Sequence, residues 1–147
     1  MPEQAIEAPN DAELAWIRSN LDVAKRLTAI HTGEERDALP DARLLDEVFA
    51  AWLREWTATP GEERDDPNAY INAVGLAFGQ SLVDALGLEW AVVTDEYGTE
   101  IAVRGQPGDL LVFPTNLVAK RFESGETHFL AEIQAGVAAR VRELRDG

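Results

Sequence analysis

The sequence contains no cysteine and no long apolar run. Without cysteine the chain can form no disulfide, no thiolate metal site and no thiol nucleophile. No apolar stretch approaches the roughly 20 residues that a membrane-spanning helix needs. The first residues also lack the basic end and the apolar core of a secretory signal. We therefore expect a cytoplasmic protein.

Basic residues are scarce. The chain has 13 lysines and arginines against 27 acidic residues, which gives a net charge of −14. Such a charge repels phosphate backbones and anionic lipids, so we expect neither nucleic acid nor a membrane as a partner. It attracts a basic protein. Solubility alone is the other reading of the same excess.

Motifs for catalysis and metal binding are also lacking. His31 and His128 lie far apart in the sequence and do not form a paired-histidine metal motif. The serines lack a nucleophile elbow, and no glycine-rich loop is placed to hold phosphate. We predict no catalytic residue, no metal and no cofactor.

The length and the periodicity indicate a small α+β protein. We expect residues 1–9 to be a disordered lead-in and residues 10–147 to form a single α+β domain. The pattern predicts three N-terminal helices, a three-stranded antiparallel meander and two C-terminal helices. Asn10 and Glu13 have the spacing of a capping box for the first helix, and the last helix begins near Thr127.

The third predicted helix contains two glycines four residues apart. Gly75 and Gly79 lie beside an apolar stripe that includes Val74 and Phe78. Each glycine costs about 1 kcal/mol relative to alanine in a helix interior, so close packing should offset the loss. Either another helix or the sheet approaches there, or a ligand occupies the groove.

A hairpin follows, with its turn at Asp95–Gly98. Trp90 and Val92 share one face with Ile101 and Val103, while polar residues share the other, which predicts a sheet with one buried face. Gly98 supplies the positive φ of the turn. The third strand, residues 110–113, is apolar on both faces although it lies at an edge. A later helix or a second subunit, as in a homodimer, should cover it.

A mixed-charge patch on the polar face of the sheet is the candidate site for a ligand or partner. Its residues are Asp95, Glu100, Arg104, Lys120 and Arg121. Plainer roles are available for each of them. Asp95 suits the first position of a turn, Arg104 can pair with Glu89 across the strands, and the two adjacent bases can form internal ion pairs.

The motifs G-L-A-F-G-Q at residues 75–80, L-G-L-x-W-A-V-V-x-D at residues 86–95 and F-P-x-N-L-V-A-K-R at residues 113–121 occur in this order. Over about residues 69–126 the chain resembles the DUF3806 family of bacterial proteins of unknown function. The resemblance supplies no catalytic residue. It implies that Gly75, Gly79, Trp90, Gly98 and Pro114 form one spatial unit together with Asp95, Lys120 and Arg121.

Two functions fit these features, and we favour the first over the second. The first is a non-catalytic acidic module that binds a basic protein partner. The second is a small-ligand-binding protein or enzyme that uses Lys120, Arg121 and Asp95 in a cleft between the third helix and the hairpin. Trp52 and Trp56, one helical turn apart, are typical of a core, but exposed they would mark an interface.

Overall fold

The computed structural model describes residues 4–106 and 110–146 and shows a mixed α+β fold, as predicted. Five α-helices accompany a four-stranded antiparallel sheet in this part of the chain. The elements, in order, are β1 (Ala5–Glu7), α1 (Asp11–Thr32), α2 (Ala42–Ala58), a 3-10 turn (Gly61–Glu63), α3 (Asn68–Leu86), β2 (Glu89–Asp95), β3 (Gly98–Gly105), β4 (Leu110–Val112), α4 (Pro114–Ser124) and α5 (Leu130–Asp146).

The sheet has the order β1-β2-β3-β4, so the prediction of a three-stranded sheet is wrong. The additional strand is β1, which pairs antiparallel with β2 and joins Ala5 to Thr94. The sequence pattern places these residues in the disordered lead-in because three residues are too few to show an alternating pattern. Residues 1–3 of that lead-in lie outside the described residues.

The predicted hairpin register is confirmed. Trp90 pairs with Val103, Val92 with Ile101 and Thr94 with Thr99. The prediction of one buried face is wrong, however. Ala91, Val93 and Ala102 alternate with these residues and therefore point to the opposite face, yet they are only 3%, 3% and 0% exposed. Polar residues occupy that face only towards its two ends.

The two helical glycines mark where α3 is packed most closely. A Cβ atom on Gly75 would lie 2.7 Å from the Cα of Thr115, and one on Gly79 would lie 2.5 Å from the Trp90 indole. The same added Cβ at position 79 would lie 3.1 Å from the Pro114 ring. Both expected neighbours are therefore present, since α4 approaches at Gly75 and the sheet approaches at Gly79.

The N-terminus of α5 is capped from a distant part of the chain. The buried carboxylate of Asp46 in α2 accepts hydrogen bonds from the backbone N–H groups of Leu130, at 2.7 Å, and Ala131, at 3.0 Å. The helix begins at Leu130 and not near Thr127, because His128 has a φ of 61° and interrupts the helical geometry. This capping ties α5 to α2.

The core lies between the helices and the face of the sheet that bears Trp90. Its largest fully buried side chains come from α2, α3, β3, α4 and α5, and they include Phe49, Phe78, Leu82, Val103 and Leu130. The capping box of α1 is confirmed, with both Asn10–Glu13 hydrogen bonds at 2.8 Å. Helix α1 ends at Gly33, which has a φ of 77°.

Candidate functional site

Two of the five predicted patch residues meet at the turn of the hairpin. Asp95 and Glu100 line a concavity of about 300 Å³, which we call the hairpin concavity. Its other lining residues are Val93, Tyr97, Gly98, Thr99, Phe113 and Asn116. Asp95 also has the structural role that its position predicts, because its Oδ1 accepts a hydrogen bond from the Tyr97 N–H at 2.8 Å. Gly98 follows with a φ of 134°.

Arg104 does not join this concavity. It pairs across the strands with Glu89, at the far end of β2 from Asp95. Asp95 follows Glu89 by six positions, which corresponds to about 20 Å along a strand. The predicted patch is therefore spread over the length of the sheet.

Lys120 and Arg121 point in different directions from α4. Lys120 follows Asn116 by four residues and so lies on the helix face that borders the hairpin concavity. Arg121 is rotated by about 140° from Asn116. Its guanidinium lies 5.7 Å from the Phe129 ring, and its Nε lies 3.5 Å from the Glu126 carboxylate. Arg121 therefore packs towards the start of α5, as expected for internal pairing.

Four residues of the predicted spatial unit lie close together, and Gly98 does not lie with them. Gly75, Gly79, Trp90 and Pro114 meet where α3, β2 and α4 converge. Gly98 lies apart from them in the hairpin turn, where a Cβ atom added to it would have no atom within 4 Å. The indole N–H of Trp90 donates to Gln80 Oε1 at 3.0 Å, and its ring fills the space beside Gly79. The space between α3 and the hairpin is thus closed at this point.

A second concave surface lies between the C-terminal half of α1 and the middle of α2. We call it the α1–α2 groove, and its volume is about 360 Å³. It is lined by Leu27, Ile30, His31, Val48, Ala51, Trp52, Glu55 and Tyr70. Ile30 is 77% exposed, which is unusual for a large aliphatic side chain.

Aromatic rings form one end of this groove. Trp52 stacks on Tyr70 with a centroid distance of 5.1 Å, and Trp56 lies 6.1 Å from Trp52. The ring of Phe122, which belongs to α4, has its centroid 5.9 Å from that of Trp52. Both tryptophans are half-buried. Trp52 packs against the core cluster, and both rings also line the surface.

Beyond these rings the groove continues into a smaller hollow of about 180 Å³. Trp52, Glu55 and Tyr70 line both spaces. The Arg64 guanidinium lies 4.7 Å from the Trp56 ring and donates hydrogen bonds to the carbonyls of Thr59, at 2.8 Å, and Thr57, at 2.7 Å. A cation is therefore already bound on one aromatic face.

Asp65 holds the far side of the hollow. Its backbone carbonyl accepts a hydrogen bond from the Trp56 indole at 2.9 Å, and its carboxylate accepts one from the Tyr70 hydroxyl at 3.2 Å. Burial raises the pKa of Tyr70, and the nearby charge and hydrogen bond of Asp65 raise it further. Both effects favour the neutral phenol.

Acidic side chains predominate around this surface. The hollow contains Glu55, Glu63 and Asp65 against the single arginine Arg64. At the opposite end His31 lies 3.9 Å from the carboxylate of Glu47.

Across residues 4–106 and 110–146, no cluster of three or more metal-ligating side chains is present. Within the same residues no helix is long and apolar enough to cross a membrane.

Sequence reasoning missed the α1–α2 groove, although α1 contained a signal for it. Trp16, Val23, Leu27 and Ile30 are separated by seven, four and three residues, so they share one helix face. This second stripe lies beside the core stripe that includes Ile17 and Ala24, which are 3% and 0% exposed. The capping role of Asp46 was missed as well, although an acid within the apolar run of α2 is unusual.

Comparisons with known proteins identify the family but no activity. A solved structure from Bacteroides thetaiotaomicron superposes with a TM-score of 0.69 at 11% identity over 91% of this chain, a likeness of fold alone. This chain spans 47% of the length of that one. A search of curated proteins finds no significant match. The family model for the domain of unknown function DUF3806 matches residues 54–133, more than half of the sequence, so the chain belongs to the DUF3806 family.

Proposed function

We propose that this DUF3806 domain is a non-catalytic interaction module that binds a basic segment of a partner protein in the α1–α2 groove. The observation that supports this best is the exposure of Ile30 beside the rings of Trp52 and Tyr70. Apolar surface that borders a concavity and is rimmed by polar groups is typical of protein interaction sites. Tryptophan and tyrosine are also frequent among the residues that dominate binding energy.

The charge of the surface favours a basic partner. Glu55 lies on the rim shared by the groove and the hollow, and Glu63 and Asp65 lie in the hollow. Residues 1–87, which contain all the residues that line the groove and the hollow, hold 17 acidic and 7 basic residues. A field of this sign accelerates the encounter with a cationic surface and discriminates against anionic ones.

The alternative of a ligand-binding or catalytic cleft between α3 and the hairpin has less support. Trp90 fills the space beside Gly79, and Arg121 packs against Phe129 on another side of α4. Asp95 remains in the hairpin concavity, but there it already holds the turn through Tyr97. A homodimer through β4 stays a prediction that solution light scattering tests.

The test is site-specific photocrosslinking from two exposed positions. A photoreactive side chain replaces Ile30 in the groove or Tyr97, which is 89% exposed at the hairpin. We expect position 30 alone to crosslink a basic protein, which is then purified and titrated directly. Ile30→Glu should abolish this binding, Tyr97→Glu should leave it intact, and high salt should weaken it.

Each position serves as the control for the other. Both substitutions replace a large, exposed side chain with a carboxylate, so they change the net charge equally. A partner that crosslinks only at position 97, or that binds Ile30→Glu as well as the native protein, would overturn the proposal.

A further inference from the structure

We infer that the occupant of the α1–α2 groove is a basic amphipathic helix, which places an apolar side chain between Ile30 and Trp52 and a lysine or arginine beside Glu55. This inference rests on the proposed function. It adds the secondary structure of the bound segment, its pattern of side chains and the residue that recognises its charge.

The walls of the groove indicate a helical occupant. They consist of α1, α2 and the first turn of α3, and they include no strand. Away from the helix ends, the backbone N–H and C=O groups of these walls are hydrogen-bonded within the helices. An extended segment would find no strand edge to pair with and would leave its own backbone groups unsatisfied on the protein side. A helix satisfies its backbone internally and presents only side chains.

The arrangement of apolar residues matches a helix in length. On α2 the groove uses Val48, Ala51, Trp52 and Glu55, which follow the helical spacing of three, four and seven residues. On α1 the stripe from Trp16 to Ile30 continues the apolar surface over about 21 Å. The two ends of this strip are exposed, Trp16 by 42% and Ile30 by 77%, whereas Val23 and Leu27 between them are partly buried against the core. A bound helix of about four turns would cover it.

The position of the partner's cation follows from Glu55 and the rings around it. Glu55 is exposed and lines both the groove and the hollow. The adjacent Trp56 already holds the Arg64 guanidinium at 4.7 Å, so this aromatic surface accommodates a cation. A docked helix would shield a lysine or arginine beside Glu55 from water, which strengthens their attraction.

The experiment uses synthetic peptides of about four helical turns with the purified full chain. One peptide carries leucines at helical spacing flanked by lysines and arginines. A second has the same composition in scrambled order, and a third has glutamate in place of every basic residue. Binding is followed by tryptophan fluorescence, and helix formation by circular dichroism. We expect the first peptide to bind at least about tenfold more tightly than the other two and to become helical on binding.

A charge exchange then locates the cation. Glu55→Arg should weaken the basic peptide by about tenfold and improve binding of the glutamate peptide. Glu132→Arg, on the exposed side of α5, introduces the same change in net charge elsewhere and should alter both affinities equally little. An equal effect of the two substitutions would show that only the overall field matters and would overturn the role of Glu55.

The outcomes separate this inference from the proposed function. If the scrambled peptide binds as well as the patterned one, or if the bound peptide stays non-helical, the inference is wrong. Crosslinking of a basic partner at position 30 would still support the proposed function in that case. If Ile30→Glu leaves binding of the patterned peptide unchanged, the peptide does not bind in the groove and the inference is wrong, whereas the proposed function fails only if position 30 crosslinks no basic partner.

Discussion

The carboxylate of Asp46 caps the first turn of α5 by accepting the Leu130 N–H at 2.7 Å, 84 residues further along the chain. A residue before the helix normally provides this cap, but here the preceding residue is the buried Phe129. The interaction therefore contributes both to the stability of α5 and to its position against α2.

Asp46→Ala should destabilise the protein by about 2–4 kcal/mol, since it leaves two N–H groups at a buried helix end without an acceptor. Asp41 provides the matched control. It caps α2 through an exposed hydrogen bond to Leu44 N at 2.9 Å, and its replacement by alanine should cost about 1 kcal/mol. Urea unfolding measures both. Equal losses of unfolding free energy in the two variants would show that the cap from Asp46 stabilises the protein no more than an exposed local cap does.

Alanine substitutions at Gly136, Gly75 and Gly79 should separate helix propensity from packing. Gly136→Ala in α5 should stabilise the protein by about 1 kcal/mol, because no atom lies within 4 Å of its added Cβ. Gly75→Ala meets the backbone of Thr115 and Pro114, which cannot move away, and should be destabilising by about 1–3 kcal/mol. Thermal unfolding with circular dichroism gives the order of the three.

Gly79→Ala should also be destabilising, and it should alter the fluorescence of Trp90. Its Cβ would lie 2.5 Å from the end of the indole, so the ring must shift and its hydrogen bond to Gln80 must lengthen. An alanine at position 79 that stabilises the protein would contradict the close packing.

The phenol of Tyr70 should titrate above its ordinary pKa of 10.0, because burial raises the pKa and Asp65 raises it further. The pKa of Tyr70 is higher in the folded than in the unfolded protein. The contribution of this phenol to the free energy of unfolding is therefore fully present below the unfolded pKa, and it is lost as the pH rises through the folded pKa. Asp65→Asn should lower the pKa of Tyr70 without returning it fully to the ordinary value.

Absorbance of the phenolate reports this titration. The titrations are carried out in a protein that carries Tyr97→Phe. Because the chain has only two tyrosines, the phenolate signal then comes from Tyr70 alone. If the pKa of Tyr70 does not change in Asp65→Asn, the contact at 3.2 Å is not formed in solution.

Lys120 and Arg121 should behave differently on replacement by alanine. Arg121→Ala removes the contact with Phe129 and the pair with Glu126, and it should cost about 1 kcal/mol. Lys120→Ala, at an exposed position, should change the free energy of unfolding by less than about 0.5 kcal/mol. Chemical denaturation tests the pair, and similar losses would contradict their separate orientations.

The sequence predicted those parts of the fold in which a local pattern specifies the structure. The alternation of Trp90 and Val92 with their partners in β3 determined the register, and the spacing of Asn10 and Glu13 located the start of α1. Gly75 and Gly79 indicated close packing correctly, since a glycine pair within a helix is costly without it.

The remaining features depend on contacts between distant residues. β1 is recognisable only by its pairing with β2, and the start of α5 depends on Asp46 and on the conformation of His128. The residues of the candidate patch do not lie together, because residues on the same face of a strand can still be about 20 Å apart. The α1–α2 groove forms from three helices, and no single helix pattern contains it.

The pairing of β1 with β2 also affects how the protein emerges from the ribosome. Ala5 is synthesised 89 residues before its partner Thr94, which corresponds to roughly 4–18 s at a translation rate of about 5–20 residues per second. The helices α1, α2 and α3 are synthesised within that interval, whereas β1 has no strand to join until β2 follows them. The sheet is therefore completed late, and its first strand must wait for the hairpin.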